Sequence, residues 1–301
     1  MASNAATSRA FRAHTKPDEE SWFVAPVVLD WWKDYVDSGR TSKEFAIPGT
    51  RVRASWAGDC ARAIAYHVAG VEESNPITVA DAWRFNVGQM VHDQVQAKIE
   101  AAFPGSVSEV KVSIGEHGSG HMDMWVVRAD GRTVSVEIKT VNGTGFRRMV
   151  DARNPEGPRV KYVMQGALNA ANHDPLPDEL LIVVFSLECM SEKQASMNNV
   201  TSEYQKFSAQ WTFTKEEYLD IAHYEQQRLE RIVTLVDSHG PGAVPRMMPD
   251  PSLPQHLVVN PKRGVINLHD KDGFVVGTGH VWQCNYCSFQ DHCDNDSRQA
   301  P

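Results

Sequence analysis

A chain of 301 residues in which 42% are hydrophobic and 23% charged is long enough to bury a sizeable core, as one elaborated domain or two. Its formal net charge of -8 counts against a protein that coats duplex DNA nonspecifically through its whole surface, although a nuclease, with acidic metal ligands and locally gathered basic residues, stays open. The longest apolar run, Leu180 to Phe185, is too short to span a bilayer and no secretory signal opens the chain, so a cytoplasmic protein without a membrane partner is expected.

Residues 1 to 16 carry Ser and Arg but no acids. That start weakly resembles a transit peptide, and a disordered polar tail over 1–25 is the favoured expectation. A short helix is expected over Val28 to Val36, with Trp31 and Trp32, and another over Ser55 to Ala69. Thr78 with Asp81 caps a long helix running to about Phe103, where Pro104-Gly105 stops it. Phe85, Gly88, His92, Val95 and Ile99 fall near one face of that helix.

Strands are expected over 107–114, 119–128 and 132–140. Asp130-Gly131 marks a hairpin between the last two. Val160 to Ala171 reads as a helix, and Leu180 to Glu188 as a buried strand by its continuous apolar character. A polar connection, Ser191 to Glu203, leads to a strand over Tyr204 to Phe213. Thr214 and Glu217 then form a capping box for a helix reaching Asp237. Residues 240–264 are rich in Pro and Gly, a surface loop or linker. These signals define an α/β protein with a central mixed sheet: a helical region at 26–106, a core at 107–239, and a cysteine-rich segment at 265–301.

Within the expected hairpin, Gly120-His121-Met122-Asp123 has the form G-x-x-D and Glu137-Ile138-Lys139 the form E-x-K. Phosphodiester hydrolysis needs hard oxygen ligands for Mg²⁺ or Mn²⁺ and a cation near the attacking water, which Asp, Glu and Lys supply. Strand alternation puts Glu137 and Lys139 on one face. Asp123 and Glu137 lie at nearly equal distances from the turn, so they should face each other, and two such carboxylates repel unless a divalent cation lies between them. Just beyond, Arg147, Arg148, Arg153, Arg159 and Lys161 form a candidate phosphate track.

Three of the five cysteines close the chain, as Cys284, Cys287 and Cys293. C-x-x-C followed by another Cys is metal-ligand spacing, suited to zinc or an iron–sulfur cluster, and it is one ligand short. Cys60, Cys189 or, in a zinc site, His292 could complete it. Cys60 is the choice, because Cys189 ends a run of strand residues and behaves most simply as a small buried hydrophobe.

Taken in order, these motifs resemble the PD-(D/E)XK nuclease superfamily, and more narrowly the RecB-like exonucleases that include the CRISPR-associated iron–sulfur exonuclease family and its phage relatives. Ser55 to Cys60 is similar to the segment bearing the first cluster cysteine, Gly88 to His92 to a G-x-x-x-H helix motif, and Asp123 and Glu137-Ile138-Lys139 to the metal-binding and E-x-K elements. Cys284, Cys287 and Cys293 match the closing trio. The resemblance implies a restriction-endonuclease-like core and a 4Fe–4S cluster on Cys60, Cys284, Cys287 and Cys293 that joins the N-terminal helix to the C-terminal tail. It also implies exonuclease activity on single-stranded DNA or DNA ends, in recombination or repair. A homo-oligomer is a further possibility.

In that scheme Asp123, Glu137, His92 and the carbonyl of Ile138 hold Mg²⁺ or Mn²⁺, Lys139 positions the water, and Gln165 orients substrate. Gly88 lets its helix approach the sheet closely. Arg147, Arg148, Tyr162 and Gln165 contact DNA. One departure stands out: the family carries Q-x-x-x-Y on the helix after the catalytic strands, whereas Gln165 is followed here by Asn169, with Tyr162 one turn before it. The rivals are a noncatalytic DNA-binding or assembly module and a zinc-stabilised phosphoesterase.

Overall fold

A computed structural model describes residues 51–75, 78–151, 157–244 and 287–299. Residues 78–86 belong to one compact unit and the remaining described residues to a second. The expected helix at 28–36, most of the Pro/Gly-rich loop, Arg153 and Cys284 lie outside the described residues.

In chain order the elements are β1 (Val52–Arg53), α1 (Ala61–Val68), α2 (Val79–Ala102), β2 (Val107–Ile114), β3 (Gly118–Val127), β4 (Thr133–Val141), α3 (Gly143–Met149), α4 (Val160–Ala171), β5 (Glu179–Ser186), α5 (Glu192–Met197), β6 (Ser208–Thr214), α6 (Lys215–His239) and α7 (Gln290–Gln299). The protein is α/β, with a central mixed sheet flanked by helices. β3 and β4 are antiparallel, β4 and β5 parallel, β5 and β6 antiparallel, and β2 runs antiparallel to β3.

The two sheet faces separate by residue parity. Met124, Val126, Val134, Val136 and Ile138 form one apolar layer, packed with Val95 and Ile99 of α2 and Leu181, Val183 and Phe185 of β5. Phe85, expected on the same stripe, is exposed. On the opposite face Leu180, Ile182 and Val184 of β5 meet Met164, Ala167 and Leu168 of α4 and Ile221, Leu229 and Ile232 of α6. Both faces of β4 and β5 are thus covered, as a parallel pair requires.

The caps behave as expected. Thr214 and Glu217 exchange their hydrogen bonds at the start of α6, and Thr78 Oγ1 donates to Asp81 at the start of α2. The expected helix over 55–69 instead splits into a 3₁₀ turn, Ala54–Trp56, and α1. Gly58 between them has φ +75°, which only glycine adopts at low cost, and a Cβ there would stand 2.7 Å from Lys161 Cα. The supposedly irregular stretch after Ser191 contains α5, which opens on a capping box of Ser191 and Gln194. Cys189 is exposed and so is not the buried hydrophobe expected.

Candidate active site

β3 is paired on one side by β2, and on the other by β1 at residues 118–119 and by β4 at residues 124–127. Residues 120–123 therefore lie where β3 and β4 part. Extending the register that pairs Met124 with Val136 would set Asp123 opposite Glu137. At that point a side chain replaces the ladder: the Ile138 N–H donates to Asp123 Oδ2 at 2.7 Å. Because the N–H and C=O of one strand residue point the same way, the Ile138 carbonyl is directed toward Asp123 as well.

The other side of Asp123 is irregular too. The β2–β3 pairing skips Glu109, whose φ of +53° is uncommon for a residue with a side chain. Gln96 of α2, almost fully buried, fills the defect: its Nε2 donates to Asp123 O at 3.0 Å and to Glu109 Oε1 at 2.8 Å. Sequence reading missed Gln96. Its signal is its place four residues after His92, which is itself four after Gly88.

Glu137 is 1% exposed and Lys139 Nζ forms an ion pair with its Oε1. Burial, and then the charge of Asp123, push the Glu137 pKa well up from the ordinary carboxylate value. Burial opposes the charge on Lys139, but the two carboxylates more than offset it and raise its pKa. Lys139 Nζ also lies 5.9 Å from the Tyr162 ring centroid, and the Arg159 guanidinium 5.5 Å from the same ring. His92 enters from α2, with Nδ1 3.9 Å from Asp123 Oδ2. Gly88, one turn earlier, admits the close approach expected of it: a Cβ would stand 2.9 Å from Thr140 Oγ1.

Among the described residues no three His, Cys, Asp or Glu side chains stand grouped so as to hold a metal ion. The donor chemistry nevertheless fits a hard divalent cation: two buried carboxylates at close quarters, an imidazole beside one of them, and a carbonyl directed at the same point. The Glu137–Lys139 ion pair occupies part of that space.

The expected DNA-contacting residues fare unequally. Tyr162 sits beside Lys139, as described. Gln165, on the same helix, is partly buried, and its side chain makes no hydrogen bond to a described residue. Arg148 is exposed, and Arg147 donates to Thr144 Oγ1 at 3.0 Å. Lys161 leaves the proposed track, because its ammonium pairs with Asp59 Oδ2 at 2.6 Å. Arg159, exposed, has its guanidinium over the Tyr162 ring that Lys139 of the E-x-K strand also approaches.

The cysteine region has its own packing. Phe289, just before α7, is buried, with its ring centroid 5.3 Å from that of Tyr66 and 4.6 Å from that of His67 in α1. The Tyr66 hydroxyl donates to Asp296 Oδ2 at 2.6 Å, and Asn75 Nδ2 donates to Cys287 O at 3.0 Å. The segment bearing Cys287 and Cys293 thus packs on the helix that Cys60 precedes. Cys60, Cys287 and Cys293 form no disulfide with a described residue.

No family model matches the chain, and no curated protein does. Among solved structures it is similar to one described as the crystal structure of SSO0001, at 13% identity, with 90% of this chain and 97% of that chain covered and a TM-score of 0.49. A likeness that distant says nothing about what this chain does.

Proposed function

We propose that the protein is a metal-dependent deoxyribonuclease of the PD-(D/E)XK, RecB-like type, acting on single-stranded DNA or DNA ends. The observation that carries the reading is the meeting of Asp123, Glu137 and Lys139, with His92 beside them, where β3 and β4 separate. A buried pair of carboxylates with a lysine is a costly arrangement for packing alone, and it is what phosphodiester hydrolysis asks for.

Asp123, Glu137, His92 and the Ile138 carbonyl would hold Mg²⁺ or Mn²⁺, which when bound supplies Lewis acidity and an activated water. Lys139 keeps its proton and places positive charge where the phosphorane charge develops. Arg159 adds a second positive charge across the Tyr162 ring from Lys139, and ring and guanidinium together offer a path for the phosphate backbone. Burial of Glu137, with Lys139 only partly exposed, limits the screening of these interactions by bulk water.

Within the same reading, Cys60, Cys284, Cys287 and Cys293 carry a 4Fe–4S cluster with a structural role. Support comes from the packing of Phe289 and Asp296 on α1, which brings the two cysteine-bearing segments to one place. The aromatic rings of Trp56, Tyr66 and Phe289 in this neighbourhood would limit solvent access to such a cluster.

The test is a time course on DNA labelled at one end or the other, with Mg²⁺, Mn²⁺ or EDTA, together with iron and zinc analysis of the purified protein. Shortening from one end, dependent on metal, is expected. Binding without turnover under either cation would instead establish a noncatalytic module, and zinc without iron would remove the cluster while sparing the nuclease.

A further inference from the structure

Asn169, in the last turn of α4, has no solvent exposure. Its Nδ2 donates to His121 O at 2.8 Å and reaches Glu137 Oε2 at 3.4 Å, a long contact. With acceptors on both, the amide can be placed only one way round. Its Oδ1 is buried without a hydrogen-bond partner among the described residues, an arrangement that costs about 1–3 kcal/mol. That oxygen lies over Gly120, where a Cβ would stand 2.1 Å from it.

A leucine would carry no unpartnered oxygen, but it is bulkier and would leave the His121 carbonyl without its donor. The carboxamide therefore has work other than packing. It reaches both β3, at His121, and β4, at Glu137, beside the stretch where the two strands are not paired. Gly166, one turn earlier, lets the helix backbone come close, with a Cβ there 3.2 Å from Glu137 Cβ.

Resting on the nuclease reading above, we propose that Asn169 is a positioning residue: it bridges the parted strands and holds Glu137 in the orientation that a divalent cation requires. It touches neither substrate nor reacting atoms. Its loss should therefore act on cation affinity and kcat, and leave the KM for DNA alone.

The experiment compares native protein with Asn169→Leu and Asn169→Ala by Mn²⁺ titration, steady-state kinetics on single-stranded DNA and thermal melting. Mn²⁺ affinity is expected to fall about 10-fold or more in both variants, the usual consequence of removing a partner of a metal ligand, with KM for DNA within about twofold. A purely structural role predicts instead that both variants melt early, Leu through overpacking and Ala through a cavity, while their Mn²⁺ affinity stays native. Native Mn²⁺ affinity in either folded variant overturns the inference while sparing the nuclease. Native protein that neither binds Mn²⁺ nor cuts DNA overturns the nuclease reading, and this inference with it.

Discussion

Two buried glutamates of this protein lead opposite lives. Glu225 of α6 has no exposure; it accepts the Gly58 N–H at 2.9 Å and two bonds from Arg228 at 2.6 and 2.7 Å. Arg228 in turn donates to Asp59 O at 3.1 Å, and Lys161 pairs with Asp59. Glu137 is as deeply buried, yet it has one long bond from Asn169, an ion pair with Lys139, and the repulsion of Asp123. A buried charge whose bonds are complete fixes a turn in place, here the one leading into Cys60. One whose bonds are incomplete retains affinity for something else.

The contrast can be broken most severely at the site. Lys139→Ala or Asp123→Ala should lower the cleavage rate by about 10³-fold or more while the circular dichroism and iron content stay as in the native protein. Undiminished digestion by either variant would refute the assignment. Next in size, Glu225→Ala leaves the Arg228 guanidinium buried without its carboxylate and should cost about 3–5 kcal/mol in urea unfolding. A near-neutral result would mean that Glu225 is no better matched than Glu137.

The pH dependence sharpens the comparison. Burial and Asp123 push the Glu137 pKa up to about 8 from 4.5. A carboxyl raised in the fold contributes stability that is complete below its unfolded pKa and is lost as pH rises through the folded one. Metal-free protein should therefore weaken between about pH 4.5 and 8, by at most about 1.4 kcal/mol per pH unit. Glu137→Gln should flatten that slope, as melts in EDTA across this range would show. The smallest effect is expected at the rim: Arg159→Ala should weaken binding of single-stranded DNA about 5-fold and lower the salt slope by about 1, read by fluorescence anisotropy at several ionic strengths.

Much of this could be read from the residues alone. β2 runs over the expected residues, the bounds of β3 and β4 shift by one, and the Asp130-Gly131 turn sets Asp123 near Glu137, because period-2 patterning and turn chemistry are local signals. The break at Gly58 was not legible, since it depends on Lys161, a residue more than a hundred positions away. Nor was the burial of Glu225 and Arg228: on a long charged helix an i,i+3 pair looks like any solvated one until α6 is laid against the Gly58 turn. The roles of Gln96 and Asn169 were not legible for a related reason. A carboxamide carries no chemistry of its own, and its importance comes from the carbonyl and carboxylate set opposite it.

The pairing of β3 has a mechanical consequence. The strand is like a plank resting on two trestles, β1 at residues 118–119 and β4 at 124–127, with Asp123 at the inner edge of the open span. Its other edge stays paired with β2 through residues 120–122, so the span can bow only together with β2, while the supports keep it from sliding. On the proposed nuclease reading, a phosphate entering beside Asp123 would be met by a small bowing of β2 and β3 together, with the register of the rest of the sheet left untouched.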